Sequence, residues 1–298
     1  MMDDTYINLS GEAGSFTSTP PRYRFWFYPF VTDWDRLLTE TETLYGEGGE
    51  TTSSTAYTYS ERNHRVRTVT EDSSVPGTTL RTRYRYTFDF TQGAEAAMAD
   101  SANFMINTVV EESLSTVAGG GESLLKSRRD VYGLLSGCSR DLQRSVYLPV
   151  STRFSLSGGT AEQRLSYTYT PQCDLRSVEK DAAEKAVYLW GYGHMYPVAE
   201  IKGATYAQVS QWATASLIRQ IGQASFGMPQ LLAVLRSRLS GKGVLVTTFT
   251  YTPLRGTAST TSPNGTVRQY TYDGLGRLTS VTDGQGSVIQ THRYHIKP

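Results

Sequence analysis

The chain has 298 residues, 38% of them hydrophobic, and 29 Lys plus Arg against 28 Asp plus Glu leave a formal net charge of +1. This content is enough to bury a core, and the near-neutral balance argues against nucleic acid or an anionic membrane as partner. No apolar run approaches the roughly 20 residues that a membrane-spanning helix needs, and the opening MMDDTYINLSGEAG is acidic and polar where a signal peptide is basic and then apolar.

Residues 1–92 read as an N-terminal β region, with strand-like patterns at 23–30, 56–59, 65–70 and 81–90. Arg81, Arg83 and Arg85 alternate with Thr82, Tyr84 and Tyr86, so one strand face is cationic and the other aromatic or hydroxylic. A charged solvent face explains this more simply than an anion-binding stripe. Residues 93–204 read as a second β region. It opens with a short helix at 94–102, and Gly119-Gly120-Gly121 then separates 112–118 from 123–132 as a hairpin does. A phosphate-binding loop is excluded there because no Lys-Ser or Lys-Thr follows in register. Further strands are expected at 147–156, 164–169, 175–179 and 187–190.

Residues 205–242 read as a helical insertion that caps the sheets. Thr205 suits a helix cap, and Tyr206, Val209, Ala213, Leu217 and Ile221 stand at helical spacing with Trp212 beside them. A second helix is expected near Pro229, with Leu231, Leu232, Leu235 and Leu239 on one face and Arg236, Arg238 and Lys242 toward its carboxyl end.

Catalytic signals are sparse. The four histidines are His64, His194, His292 and His295, and the pair His292/His295 would face opposite sides of a strand. Cys138 and Cys173 fit no metal-ligand spacing; they could close one disulfide, although two unrelated thiols is the preferred reading. No catalytic residue, cofactor or metal is therefore expected, and the chain is not expected to be an enzyme. Trp190, Tyr192 and Tyr196 are candidates for stacking on a glycan, with inter-strand packing as the commoner use of such rings.

Residues 243–298 form the tail, and here the sequence repeats. Tyr-Thr-Tyr occurs at positions 57, 167 and 270, with variants Tyr84-Arg85-Tyr86, Phe249-Thr250-Tyr251 and His292-Arg293-Tyr294. Tyr251 and Tyr272 are 21 residues apart, Tyr272 and Tyr294 are 22 apart, and Asn264-Gly265 precedes Gln285-Gly286 by 21. Each unit reads as a hairpin whose two outer aromatics share a face while the middle residue points away. Asn264-Gly265, Asp273-Gly274 and Asp283-Gly284 are turn dipeptides that tolerate positive φ, and Arg277-Leu278-Thr279-Ser280-Val281-Thr282 alternates like a half-buried strand.

The segment Tyr270-Thr271-Tyr272-Asp273-Gly274-Leu275-Gly276-Arg277-Leu278-Thr279, followed by Val281-Thr282-Asp283 and Gly286, resembles one well-formed YD repeat of the Rhs/YD-repeat proteins. The unit beginning at Tyr251 departs from the pattern, with Thr252 where the family has Asp and Gly256 where it has Arg. The run from Tyr188 through Trp190, Tyr192 and Tyr196 to Ile201 is similar to a segment of large YD-repeat-related proteins of Bacteroidetes. This resemblance implies a mainly β fold in which antiparallel hairpin repeats form an extended or spiralling sheet, similar to the shells of Rhs and toxin-complex proteins, with the small helical insertion near 205–240. It implies a structural role: a shell or scaffold segment that encloses or displays a polypeptide, secreted or at the cell surface as part of a longer parent chain. Tyr251, Tyr270, Tyr272 and Tyr294, with Leu278 and Val281, would form the inter-repeat core, while Asp273, Gly274, Gly276, Arg277, Asp283 and Gly286 shape the turns. Partners would be other segments of the parent or the enclosed polypeptide. On this reading Tyr272→Ala costs the tail about 2 to 4 kcal/mol. The resemblance also implies that toxin-bearing relatives carry a self-cleaving core motif rich in Asp-Pro; this chain has no Asp-Pro.

Overall fold

The computed structural model describes residues 35–46, 49–138, 144–181 and 183–294. The expected strand at 23–30 and His295 lie outside them. Contacts divide the chain into Met1–Leu37 and Leu38–Pro298. Residues 35–37, all that is described of the first unit, form neither helix nor strand.

The second unit is mainly β. Its strands are β1 Thr39–Gly46, β2 Gly49–Tyr59, β3 Val66–Asp72, β4 Thr78–Tyr86, β5 Val109–Ala118, β6 Gly121–Cys138, β7 Arg144–Leu156, β8 Glu162–Tyr169, β9 Leu175–Lys180, β10 Glu184–Gly191, β11 Tyr196–Lys202, β12 Leu245–Thr252, β13 Gly256–Thr261, β14 Val267–Tyr272, β15 Leu278–Asp283 and β16 Val288–Thr291. They form one antiparallel sheet whose spatial order is the chain order. Each strand therefore pairs with its sequence neighbours, and every connection is local. Gly119 and Gly120, both at positive φ (57° and 78°), close the β5–β6 hairpin with the left-handed backbone that a two-residue turn requires.

Among the described residues four α-helices interrupt the strands: α1 Gly93–Ala99, α2 Tyr206–Ala213, α3 Ala215–Gln223 and α4 Met228–Leu239. The last three lie between β11 and β12, the expected helical insertion. Val209, Leu217, Ile221, Leu232, Leu235 and Leu239 bury against Val187, Val198, Ile201 and Val246 of the sheet, forming the main apolar core. Arg236 ties α4 down: its guanidinium donates to the carbonyls of Val246 at 2.6 Å and Ser262 at 2.9 Å. Met98 of α1, Val110 of β5 and Tyr86 of β4 are buried as well, outside that core.

Several local expectations change. Tyr206 to Ile221 is not one helix. Thr214, at φ 68°, breaks it and caps α3, accepting from Leu217 N, while Arg238 donates to Ala213 O at 2.7 Å and so satisfies the carboxyl end of α2. The strand expected over 81–90 ends at Tyr86 because the Asp89 carboxylate accepts from Tyr86 N at 2.7 Å and closes a 3-10 turn at Thr87–Asp89. Cys138 and Cys173 are disulfide-bonded, with Cα atoms 5.2 Å apart, against the preferred reading of two unrelated thiols. Sequence distance concealed the reason: β6 and β8 run in the same direction, so the end of β6 and the turn after β8 meet at one end of the sheet.

Candidate functional site

The repeat rests on one backbone device. At the last aromatic of each triplet the even-numbered strand slips register against the next strand. The slip falls between Thr58 and Tyr59, Arg85 and Tyr86, Thr168 and Tyr169, Leu189 and Trp190, Thr250 and Tyr251, and Thr271 and Tyr272. A bulge bends the strand and re-aims the side chain. At Tyr86, Tyr169, Trp190, Tyr251 and Tyr272 it aims the ring back over the preceding strand, where its polar tip meets a carbonyl, and Tyr294, which follows β16 and stands at no such slip, reaches a carbonyl in the same way. Tyr86 donates to Val66 O at 2.6 Å, Tyr169 to Pro149 O at 2.6 Å, Tyr251 to Pro197 O at 2.9 Å, Tyr272 to Thr257 O at 2.9 Å and Tyr294 to Leu278 O at 2.9 Å. In β10 the Trp190 indole does the same, donating to Leu175 O at 2.7 Å.

These six latches give each ring a satisfied tip, and all but the exposed Tyr294 are at least half-buried. Burial raises the hydroxyl pKa of Tyr86, Tyr251 and Tyr272, and pushes that of Tyr169 up to about 12. The middle residues of the triplets serve the opposite face: Thr58 meets Thr68 at 2.7 Å and Thr250 meets Ser259 at 2.6 Å, hydroxyl to hydroxyl across the ladder. Gly256 leaves room for the Tyr272 ring, since a Cβ there would lie 2.7 Å from its hydroxyl.

The family-like motif residues fall into place around the tail latches. The Asp273 carboxylate accepts from Leu275 N and Arg277 N, both at 2.9 Å, and from Arg277 Nε at 2.8 Å. The Arg277 amide first, then its guanidinium and the Leu275 amide, hold that carboxyl below its ordinary pKa. Arg277 in turn covers the Tyr294 ring at 4.5 Å, so the turn of one unit supports the latch of the next. Asp283 repeats the closure on Gln285 N and Ser287 N. The positive φ expected at the Asp-Gly dipeptides falls instead at Gly276 (78°) and Gly286 (87°), because the Asp-closed loop puts its left-handed residue fourth; Asn264-Gly265 does carry it, at Gly265. Gly274 and Gly284 do not require it. Tyr270 and Leu278 are half-buried and Val281 is buried.

Trp190, Tyr192 and Tyr196, taken together in the sequence as stacking candidates, line two different clefts. Tyr192 and Tyr196 pack on Tyr251, edge-on at 6.0 Å and stacked at 4.6 Å, and their hydroxyls accept from Tyr251 N and Leu254 N. They border an opening of about 570 Å³ with Met195 and Phe226. Trp190 borders a cleft of about 330 Å³ with His194 and α3. There His194 Nδ1 lies 3.0 Å from the buried Asp174 carboxylate. The Trp190 latch and the Asp174–His194 contact both escaped the sequence reading, although Tyr188-Leu189-Trp190 has the aromatic spacing of the other triplets.

Other candidate chemistry dissolves. Arg81 and Arg83 share the Glu122 carboxylate on β6, and Arg85 pairs with Glu111 on β5, so every arginine of the stripe has an acidic partner. Among the described residues no group of three or more His, Cys, Asp or Glu could hold a metal ion, and no helix is long and apolar enough to cross a membrane.

The crystal structure of TcdB2-TccC3-Cdc42 aligns with 81% of this chain at 13% identity and a TM-score of 0.31, and the Photorhabdus luminescens Tc holotoxin pore with 82% at 10% identity and 0.30. This chain spans 13% and 12% of those chains. A search of curated proteins finds no match. Residues 255–288, the stretch that holds β13 to β15 and both Asp-closed turns, match the family model RHS Repeat. Within the tail of this chain residues 255–288 are thus similar to an RHS repeat, which supports an Rhs/YD-repeat family.

Proposed function

We propose that the chain is a structural segment of a longer YD-repeat β shell, one that encloses or displays a polypeptide in secretion, toxin delivery or contact at the cell surface. The observation that carries this reading is the sheet itself: sixteen strands laid down in chain order, with the same bulge and latch recurring along it. Such a design extends by adding hairpins to an open edge. Its partners would be neighbouring segments of the parent chain and the enclosed polypeptide. We assign it no reaction, and we place the parent outside the cell and, on the run 188–201, with the Bacteroidetes type.

The test is the natural product purified from its source. We expect an intact mass well above 33.0 kDa and slow amide exchange in β16, whose residues are all exposed here. A native product of 33.0 kDa with freely exchanging β16 amides overturns the shell reading.

A further inference from the structure

One unit departs from the rule of the others. Of the six latches, five use a tyrosine hydroxyl, and a single N–H or O–H is all that a latch requires; β10 alone spends a tryptophan on it. The same unit carries a turn in which Tyr192, Gly193 and His194 are all left-handed, at φ 54°, 65° and 65°. Such a backbone persists only where its surroundings determine it. Here Tyr192 N and Gly193 N both donate at 3.1 Å, to Ala224 O and Gly222 O, and Asp174 holds His194 from below. Gly222 lets α3 come against the imidazole edge, since a Cβ there would lie 3.2 Å from His194 Nε2.

The outcome is a cleft of about 330 Å³ between the β10 end and α3, at the lower end of the range of ligand pockets. Trp190 gives it an aromatic wall, Tyr206 lines it with the Arg176 guanidinium over its ring at 4.9 Å, and Gln172 and Gln223 offer amides that both donate and accept. Arg219 is its one permanently charged lining residue, and none of the lining residues is a carboxylate. Aromatic faces pack on the apolar face of a sugar ring, planar amides read hydroxyls, and a guanidinium selects a carboxylate.

We propose that this cleft binds a saccharide bearing a carboxylate, its ring against Trp190 and its acid on Arg219. The site would decorate the scaffold proposed above without depending on it.

The test is calorimetric titration of the full chain with oligosaccharides ending in glucuronic acid or N-acetylneuraminic acid, and with neutral glucose- and galactose-ended counterparts. Saturable binding of an acidic set, about tenfold tighter than its neutral counterpart, is expected, because one charge-assisted contact is worth about that factor. Arg219→Gln, at an exposed position, should erase the preference, and Trp190→Tyr, which keeps a latch donor, should weaken binding several-fold while the melting temperature holds. Equal binding of acidic and neutral sugars, absence of saturable binding, or parent-like binding by Arg219→Gln overturns the proposal. None of these outcomes changes the exchange of β16, which reports on the scaffold alone.

Discussion

Between β10 and β12 the sheet buries Val187, Val198, Ile201 and Val246 under three helices, whereas from β13 to β16 Val281 alone among the described residues is buried. Both regions use the same hairpins and the same latch. The first is held by apolar burial, which needs no neighbour. The second is held by ladder hydrogen bonds, Asp-closed turns and ring tips, each worth about 1 kcal/mol net. A strand pair without a buried face is marginal in water, so the tail depends on the strands before it and, in the proposed parent, on the hairpins added after it.

The comparison is most easily broken in the core. Leu235→Ala, at a fully buried position, should cost about 2 to 5 kcal/mol in urea unfolding and loosen the helices and β10 to β12 together. Little change would mean that the helices are not the anchor. Arg236→Ala cuts the bridge between the regions and leaves the Val246 and Ser262 carbonyls without that donor; a loss of about 2 kcal/mol is expected, with faster exchange in β13 and β14. In the tail, Tyr272 is only half-buried, which puts Tyr272→Ala at the low end of the sequence-based range, about 2 kcal/mol. Tyr272→Phe removes the Thr257 bond alone and should cost about 1 kcal/mol, read as local exchange in β13 and β14 with α4 unmoved. An equal effect on α4 would erase the distinction between the regions.

A further effect concerns pH. The neutral Tyr169 hydroxyl is the folded form, and burial raises its pKa from 10.0 to about 12. Its contribution is therefore complete below pH 10 and is lost as the pH climbs toward 12. Tyr169→Phe should flatten the fall in stability over that window; an unchanged slope would place the alkaline sensitivity elsewhere.

The strands and the insertion were legible because periodicity reports which side of an element is dry. The tail turns were legible because Asp, Asn and Gly have few other reasons to recur at a fixed interval. What escaped the sequence lies at right angles to it. Thr214 breaks a helix whose apolar spacing runs on undisturbed, since Arg238, 24 residues later, donates both to the Thr214 hydroxyl and to the Ala213 carbonyl freed by the break. The Cys138–Cys173 bond and the Asp174–His194 contact depend on strand ends that meet two ladders away. The candidate rings lie apart: neighbours in sequence, Trp190 and Tyr192 line separate clefts, with the left-handed turn starting at Tyr192.

Every latch reaches backward. The carbonyls at Val66, Pro149, Leu175, Pro197, Thr257 and Leu278 all precede the ring that finds them, and Tyr251 reaches past the whole helical insertion to do so. A chain emerging from the ribosome would meet each acceptor already in place, and no strand would wait for a partner not yet made. Growth of the sheet can therefore keep pace with translation, hairpin upon hairpin, and the edge that receives each new strand is always the newest.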